Sequence, residues 1–146
     1  MKKLFIYYSD TGSGDLVAEK MKEKGFEIRK VFTKRPLSKI FFFKVFFGGF
    51  AASRKKKRKL KDYDNDVKAY DEVIIGSPIW AGGFSCPINT VLASTDLSGK
   101  KLSFILWSGS GTGDAALERI KIEYANAPAV LLKEPNKYPE ELQKLQ

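Results

Sequence analysis

Short apolar runs of β-prone residues alternate along this chain with segments of helical period, and that alternation leaves few folds open. Lys3-Leu4-Phe5-Ile6-Tyr7-Tyr8 is the first such run, broken by Ser9 to Gly14. Its continuous apolar character predicts a strand buried on both faces. From Asp15 onward, Leu16, Val17, Ala18 and Met21 recur at helical spacing, and Gly25 stops that helix. Phe26 to Phe32 reads as a second strand. Asp71 to Gly76 reads as a third, ended by a Gly-Ser-Pro turn. Cys86 to Ser94 reads as a helix capped by Ser85, with Pro87 in its first turn. Lys101 to Trp107 is a fourth strand, and Ala115 to Tyr124 a helix with Asp114 as N-cap. Ala129 to Leu132 is a fifth strand, and Tyr138 to Leu145 a closing helix.

Strands alternating with helices predict an α/β fold: a five-stranded parallel sheet between two helical layers, a three-layer sandwich. Right-handed crossovers favour the strand order 2-1-3-4-5. A ligand then sits outside the carboxyl ends of the strands, where the order reverses. At 146 residues and 43% hydrophobic, the sequence suits a single domain over 1–146. The one cysteine can form no internal disulfide. Met1-Lys2-Lys3 runs into the first strand with no leader cleavage site, and no apolar run has the length of a membrane span. The expected setting is cytoplasmic.

The net charge is +9, from 26 Lys+Arg against 17 Asp+Glu, which favours anionic partners. Histidine is absent. That removes the commonest general base and every Ser/His or Cys/His mechanism, and no metal site is expected. No residue offers itself as a catalytic acid or base. Any chemistry would be carried by a cofactor.

Three strand ends are informative. The first, Ser9-Asp10-Thr11-Gly12-Ser13-Gly14, leads into a helix. Small residues let backbone N–H groups approach an anion, hydroxyls add donors, and the helix terminus adds positive potential. The same residues could form an ordinary Ser/Gly turn, and Asp10 and Asp15 would repel a phosphate. The loop lacks a Walker lysine and the Gly-x-Gly-x-x-Gly spacing. The third strand leads into Ser77-Pro78-Ile79-Trp80-Ala81-Gly82-Gly83-Phe84, whose tryptophan is either a buried plug or a flat stacking surface. The fourth leads into Ser108-Gly109-Ser110-Gly111-Thr112-Gly113, with backbone donors and acceptors under little steric cover.

Tyr8-Ser9-x-Thr11-Gly12-Ser13, Gly76-Ser77-Pro78-Ile79-Trp80-x-Gly82 and Leu97-Ser98-Gly99-Lys100-Lys101 resemble the flavodoxin family, in particular its short members. Gly48-Gly49-Phe50-Ala51 is similar to a further segment of those members. The resemblance implies a flavodoxin-like fold and FMN as cofactor. It implies that Ser9, Asp10, Thr11, Gly12, Ser13 and Gly14 hold the FMN phosphate. Pro78, Ile79, Trp80, Ala81 and Gly82 would border the flavin ring, with Trp80 against one face. Ser108, Gly109, Ser110 and Gly111 would approach its pyrimidine edge. The resemblance is incomplete at two positions. Gly14 stands where relatives carry a hydroxyl, and Ala81 where many carry glycine, so a Cβ there would oppose a φ > 0 backbone. The loop after the fourth strand has no aromatic beyond Trp107, so the outer ring face would be open. The implied function is electron transfer, or FMN-dependent reduction of a small acceptor such as a quinone. Its partners would be a redox protein, or NAD(P)H and that acceptor.

The middle of the chain is unusual. Lys39 to Phe50 carries six phenylalanines, and Arg54 to Lys61 seven basic residues. The simplest reading is a crossover: Phe41, Phe42, Phe46, Phe47 and Phe50 supply its buried face and the charges lie on a solvated end. The alternative is a basic interaction module on a flavodoxin-like scaffold that has lost FMN, touching anionic membrane or nucleic acid through residues 54–61. No specific nucleic-acid partner is expected. Cys86 reads as a small packed residue at a helix start.

Overall fold

The computed structural model describes residues 1–34 and 57–146. The phenylalanine-rich segment, with Phe41, Phe42, Phe46, Phe47 and Phe50, and the first half of the basic run lie outside the described residues. The strands are β1 (Lys3–Tyr7), β2 (Glu27–Lys30), β3 (Glu72–Trp80), β4 (Gly83–Phe84), β5 (Lys101–Ser108) and β6 (Ala129–Lys133). The α-helices among the described residues are α1 (Ser13–Glu23), α2 (Cys86–Ser94) and α3 (Asp114–Glu123). The order across the sheet is β2-β1-β3-β5-β6, parallel throughout, with β4 paired antiparallel to the tip of β3. The long parallel strands thus have the expected order, and β4 is an addition.

Alternate strand residues feed two cores. On one face Leu4, Ile6, Val73, Ile75, Phe104 and Leu106 pack with Ile88 and Val91 of α2 and Ala116 and Ile120 of α3. On the other, Phe5, Tyr7, Ile74, Ile105 and Trp107 pack with Val17, Ala18 and Met21 of α1 and with Leu145. Period-2 strands meeting helices on both faces make the three layers. No helix among the described residues is long and apolar enough to cross a membrane.

Several boundaries differ from expectation. β3 does not end at Gly76 but runs on to Trp80. Tyr8 N–H donates to Gly76 O, so Gly76 faces β1, and Pro78, two residues on, faces the same way. β1 has ended by then, so the N–H that proline lacks has no partner to lose. Asp114 is not the N-cap of α3. Gly113 is, its carbonyl accepting from Leu117 N–H at 3.0 Å, and Asp114 lies in the first turn. The closing segment is a 3-10 helix, Pro139–Leu145.

The crossover leaves β2 at Val31 and returns beside it. Thr33 and Leu60 form an antiparallel bridge, flanked by Lys34 N–H to Lys59 O at 2.9 Å and Lys61 N–H to Phe32 O at 2.8 Å.

Candidate functional site

The register Tyr7↔Gly76, Pro78↔Trp107 and Ser108↔Lys133 sets the carboxyl ends of β1, β3, β5 and β6 side by side. The loop from Ser9 to Gly12 ends β1, and Gly12 caps α1 at φ +89. Ser9 Oγ accepts from Gly12 N–H at 3.2 Å and from Gly14 N–H at 3.0 Å. One hydroxyl oxygen thereby satisfies two of the orphan donors at the helix start. With its oxygen accepting, the Ser9 O–H is left to donate. Thr11 and Asp10 are exposed beside it.

Ser13 is buried and turned away: its hydroxyl donates to Asn136 Oδ1 at 2.5 Å. Asn136 returns Nδ2–H to Thr11 O at 3.3 Å. This latch comes from the loop after β6 and was invisible in the sequence. Pro135-Asn136 signals a turn, but nothing marks a partner across the chain. The same loop brings Glu134, whose N–H donates to Ser108 O at 3.0 Å. Desolvation raises the Asp10 carboxyl pKa, and the Glu134 carboxylate adds to the rise.

Asp15 is not a bare charge. It accepts from Tyr7 OH at 2.6 Å and from Lys30 Nζ at 2.8 Å. Burial works to raise its pKa, but these bonds outweigh it and hold the carboxyl below its ordinary value. Lys30 thus offsets the repulsion Asp15 would exert on an anion at the helix terminus. Burial, then the Asp10 and Cys86 charges, push Tyr8 up to about 12.

Gly14 has a steric reason. A Cβ there would lie 2.7 Å from Ser9 Cβ, 2.8 Å from Trp107 Cζ2 and 2.8 Å from Tyr7 Cδ2. The space a side chain would take is filled by the edge of the Trp107 indole. Trp107 is 1% exposed, and its Nε1–H, two bonds from Cζ2, has no hydrogen-bond partner among the described residues. A buried orphan donor against the first turn of a helix is a place where an acceptor is missing.

The β3–β4 connection is a two-residue hairpin, not an open loop. Ile79 pairs with Phe84 and Trp80 with Gly83, while Ala81 at φ +52 and Gly82 at φ +81 make the turn. Two positive φ values are the signature of a type I′ turn. The Cβ of Ala81 did not prevent the left-handed backbone; it made it costly. Ala81→Gly is expected to raise stability by about 0.5–1 kcal/mol, seen as a higher urea midpoint at unchanged slope. A midpoint at or below that of the wild type would contradict the strain.

Trp80 is 2% exposed and stands edge-on to Tyr8, with ring centroids 5.8 Å apart. Pro78 and Ile79 are buried with it, so of this segment only Ala81 and Gly82 reach the surface. Ser77 Oγ accepts from Ser85 N–H at 3.0 Å and fastens the base of the hairpin. After β5, Ser108 Oγ accepts from Thr112 N–H at 3.0 Å, curling the loop so that Gly109 and Ser110 are exposed. Gly111 turns there at φ +76. Cys86 is buried at the start of α2. The structure therefore gathers Ser9 to Gly12, Ala81–Gly82 and Ser108 to Gly111 on one accessible edge. Ser13, Gly14, Pro78, Ile79 and Trp80 lie beneath it. Among the described residues, no cluster suited to a metal ion occurs.

A sequence model of the flavodoxin family matches residues 50–141. No curated protein matches the chain. A candidate flavoprotein of Bacteroides uniformis ATCC 8492 shares the fold at TM-score 0.73, with 22% identity over 99% of this chain and 98% of that one. A second, from Bacteroides eggerthii DSM 20697, superposes at TM-score 0.70 with 23% identity over 88% and 84%. A flavoprotein of Lactobacillus acidophilus NCFM, solved in complex with FMN, superposes at 0.63 with 18% identity over 95% and 97%.

Proposed function

The chain belongs to the flavodoxin family, and we propose that it binds one FMN at the carboxyl edge of its sheet and exchanges electrons through it. The observation that carries this reading is the Nε1–H of Trp107, which has no hydrogen-bond partner among the described residues, on an indole whose Cζ2 edge lies against Gly14 in the first turn of α1. The Ser9 O–H, left to donate because its oxygen accepts from the Gly12 and Gly14 N–H groups, and the exposed Thr11 hydroxyl stand at the same helix N-terminus. That donor set suits a phosphate dianion. Ser13 serves indirectly, holding the loop through Asn136. The flat ring would lie over the Ala81–Gly82 tip and the Ser108 to Gly111 loop, with Trp80 supporting the hairpin from below. A similar fold in the Lactobacillus acidophilus flavoprotein was solved with FMN, which supports the choice of cofactor.

Bound FMN supplies the redox chemistry, accepting and releasing one or two electrons. The chain's part is to bind and orient it. The acceptor would be reduced by the cofactor directly. NAD(P)H with a quinone, or a redox protein, would complete the reaction.

Titration with FMN, followed by flavin fluorescence, tests the reading. One-to-one binding at micromolar FMN or below is expected, with riboflavin at least about tenfold weaker because charged hydrogen bonds to the phosphate are lost. Trp107→Phe is expected to close most of that gap. Equal affinities for FMN and riboflavin in the wild type would remove the phosphate cradle.

A further inference from the structure

Phe32, at the exit of β2, is 54% exposed, an unusual place for a large aromatic ring. The Thr33–Leu60 bridge fixes what surrounds it. Leu60 packs against the core below the sheet, so its face of the bridge is the inner one. Side chains alternate along extended backbone, so Phe32, Lys34, Lys59 and Lys61 share the outer face. All four are exposed. The paired backbone also holds Lys34 and Lys59 directly across from each other. Arg58 is pinned nearby by its own backbone: its N–H donates to Thr90 Oγ1 at 2.9 Å, and Thr90 Oγ1 donates to its carbonyl at 2.6 Å.

Lys34, Lys57, Arg58 and Lys59 line a pocket of about 430 Å³. Lys34, Lys57, Lys59 and Lys61 make no ion pair among the described residues. Holding like charges together in a concave site costs electrostatic free energy unless an anion offsets it. One phosphate would need fewer cations than these. The exposed ring beside them adds a flat apolar surface on which a base can stack. The charge run noted in the sequence is therefore only half of the feature; Phe32 and Lys34 arrive from the other side of the crossover.

We propose that this face binds a nucleotide carrying two or more phosphate groups, its base on Phe32 and its phosphates on Lys34, Lys57 and Lys59. The phosphates would occupy the pocket, and the base would lie outside it on Phe32, which flanks the pocket without lining it. The site is continuous with the helix terminus through Lys30, whose Nζ lies 5.5 Å from the Phe32 ring centroid and 2.8 Å from Asp15. This binding does not depend on FMN being the cofactor.

Calorimetric titration of the full chain at low salt, in saturating FMN so that the cradle cannot compete, tests the proposal. The probes are ADP, NADPH, adenosine and pyrophosphate. ADP and NADPH are expected to bind more tightly than adenosine or pyrophosphate. Lys34→Glu with Lys59→Glu is expected to weaken ADP and pyrophosphate alike, by at least tenfold. Phe32→Ala is expected to weaken ADP about fivefold or more and leave pyrophosphate unchanged. Wild-type affinity for ADP in the lysine variant would overturn the site. Unchanged ADP binding in Phe32→Ala would overturn the nucleotide and leave a bare anion patch. Tighter binding of single-stranded DNA or of anionic vesicles than of ADP, through the same lysines, would overturn it in favour of a polymer or membrane. If FMN fails to bind, the same titrations in its absence read the site just as well, so the two readings fail separately.

Discussion

Gly14→Thr is expected to destabilise the fold by about 2–3 kcal/mol, although it adds a hydroxyl where flavodoxin relatives carry one. The new Cβ would meet Ser9 Cβ, Trp107 Cζ2 and Tyr7 Cδ2, each closer than 3.0 Å. None of these can yield cheaply. Tyr7 is tied to Asp15, Ser9 holds two backbone N–H groups, and Trp107 is 1% exposed in the core. Urea denaturation of the protein without added flavin gives the value. The same variant is expected to bind FMN more weakly, because relief of the clash must move either the Ser9 cradle or the Trp107 indole. A stable variant with unchanged or tighter FMN binding would show that the glycine is not held by packing.

Trp80→Ala is expected to cost about 3–5 kcal/mol in protein free of flavin, the range for emptying a large buried aromatic site. The number separates two roles that the sequence left open. A ring serving only as a platform for a cofactor would stand partly in solvent, and its removal would cost little until the cofactor was added. A ring 2% exposed against Tyr8 is part of the core first. A loss below about 1 kcal/mol, with a large loss of FMN affinity, would reverse that assignment.

The parts of the fold that could be read in advance are those where one residue pattern has one physical outcome. The apolar run from Leu4 to Tyr8 can only be a strand buried on both sides, and Val17, Ala18 and Met21 can only be buried together as one face of a helix, although Leu16, at the same spacing, is left exposed. Those two patterns, repeated, fix the sheet order. What failed was local chemistry decided by distant neighbours. Gly76-Ser77-Pro78 reads as a turn, yet β1 ends before it reaches Pro78, so the proline is tolerated and the strand runs on. Ala81 reads as a poor turn residue, yet the pairing of Ile79 with Phe84 forces it into the left-handed region. The site divided in the same way. Its loops were identified by their small residues, while the direction of each side chain was not. Whether Ser13 points at a ligand or at Asn136 depends on a residue 123 positions away.

That separation has a consequence during synthesis. At cellular rates of about 5–20 residues per second, residue 136 is added roughly 6–25 s after residue 13. Until then Thr11 and Ser13 lack the partner that fastens them, however completely β1 and α1 have formed. The loop after β1 is thus finished by the loop after β6, and a nascent chain cannot have its cradle set before residue 136 has been translated.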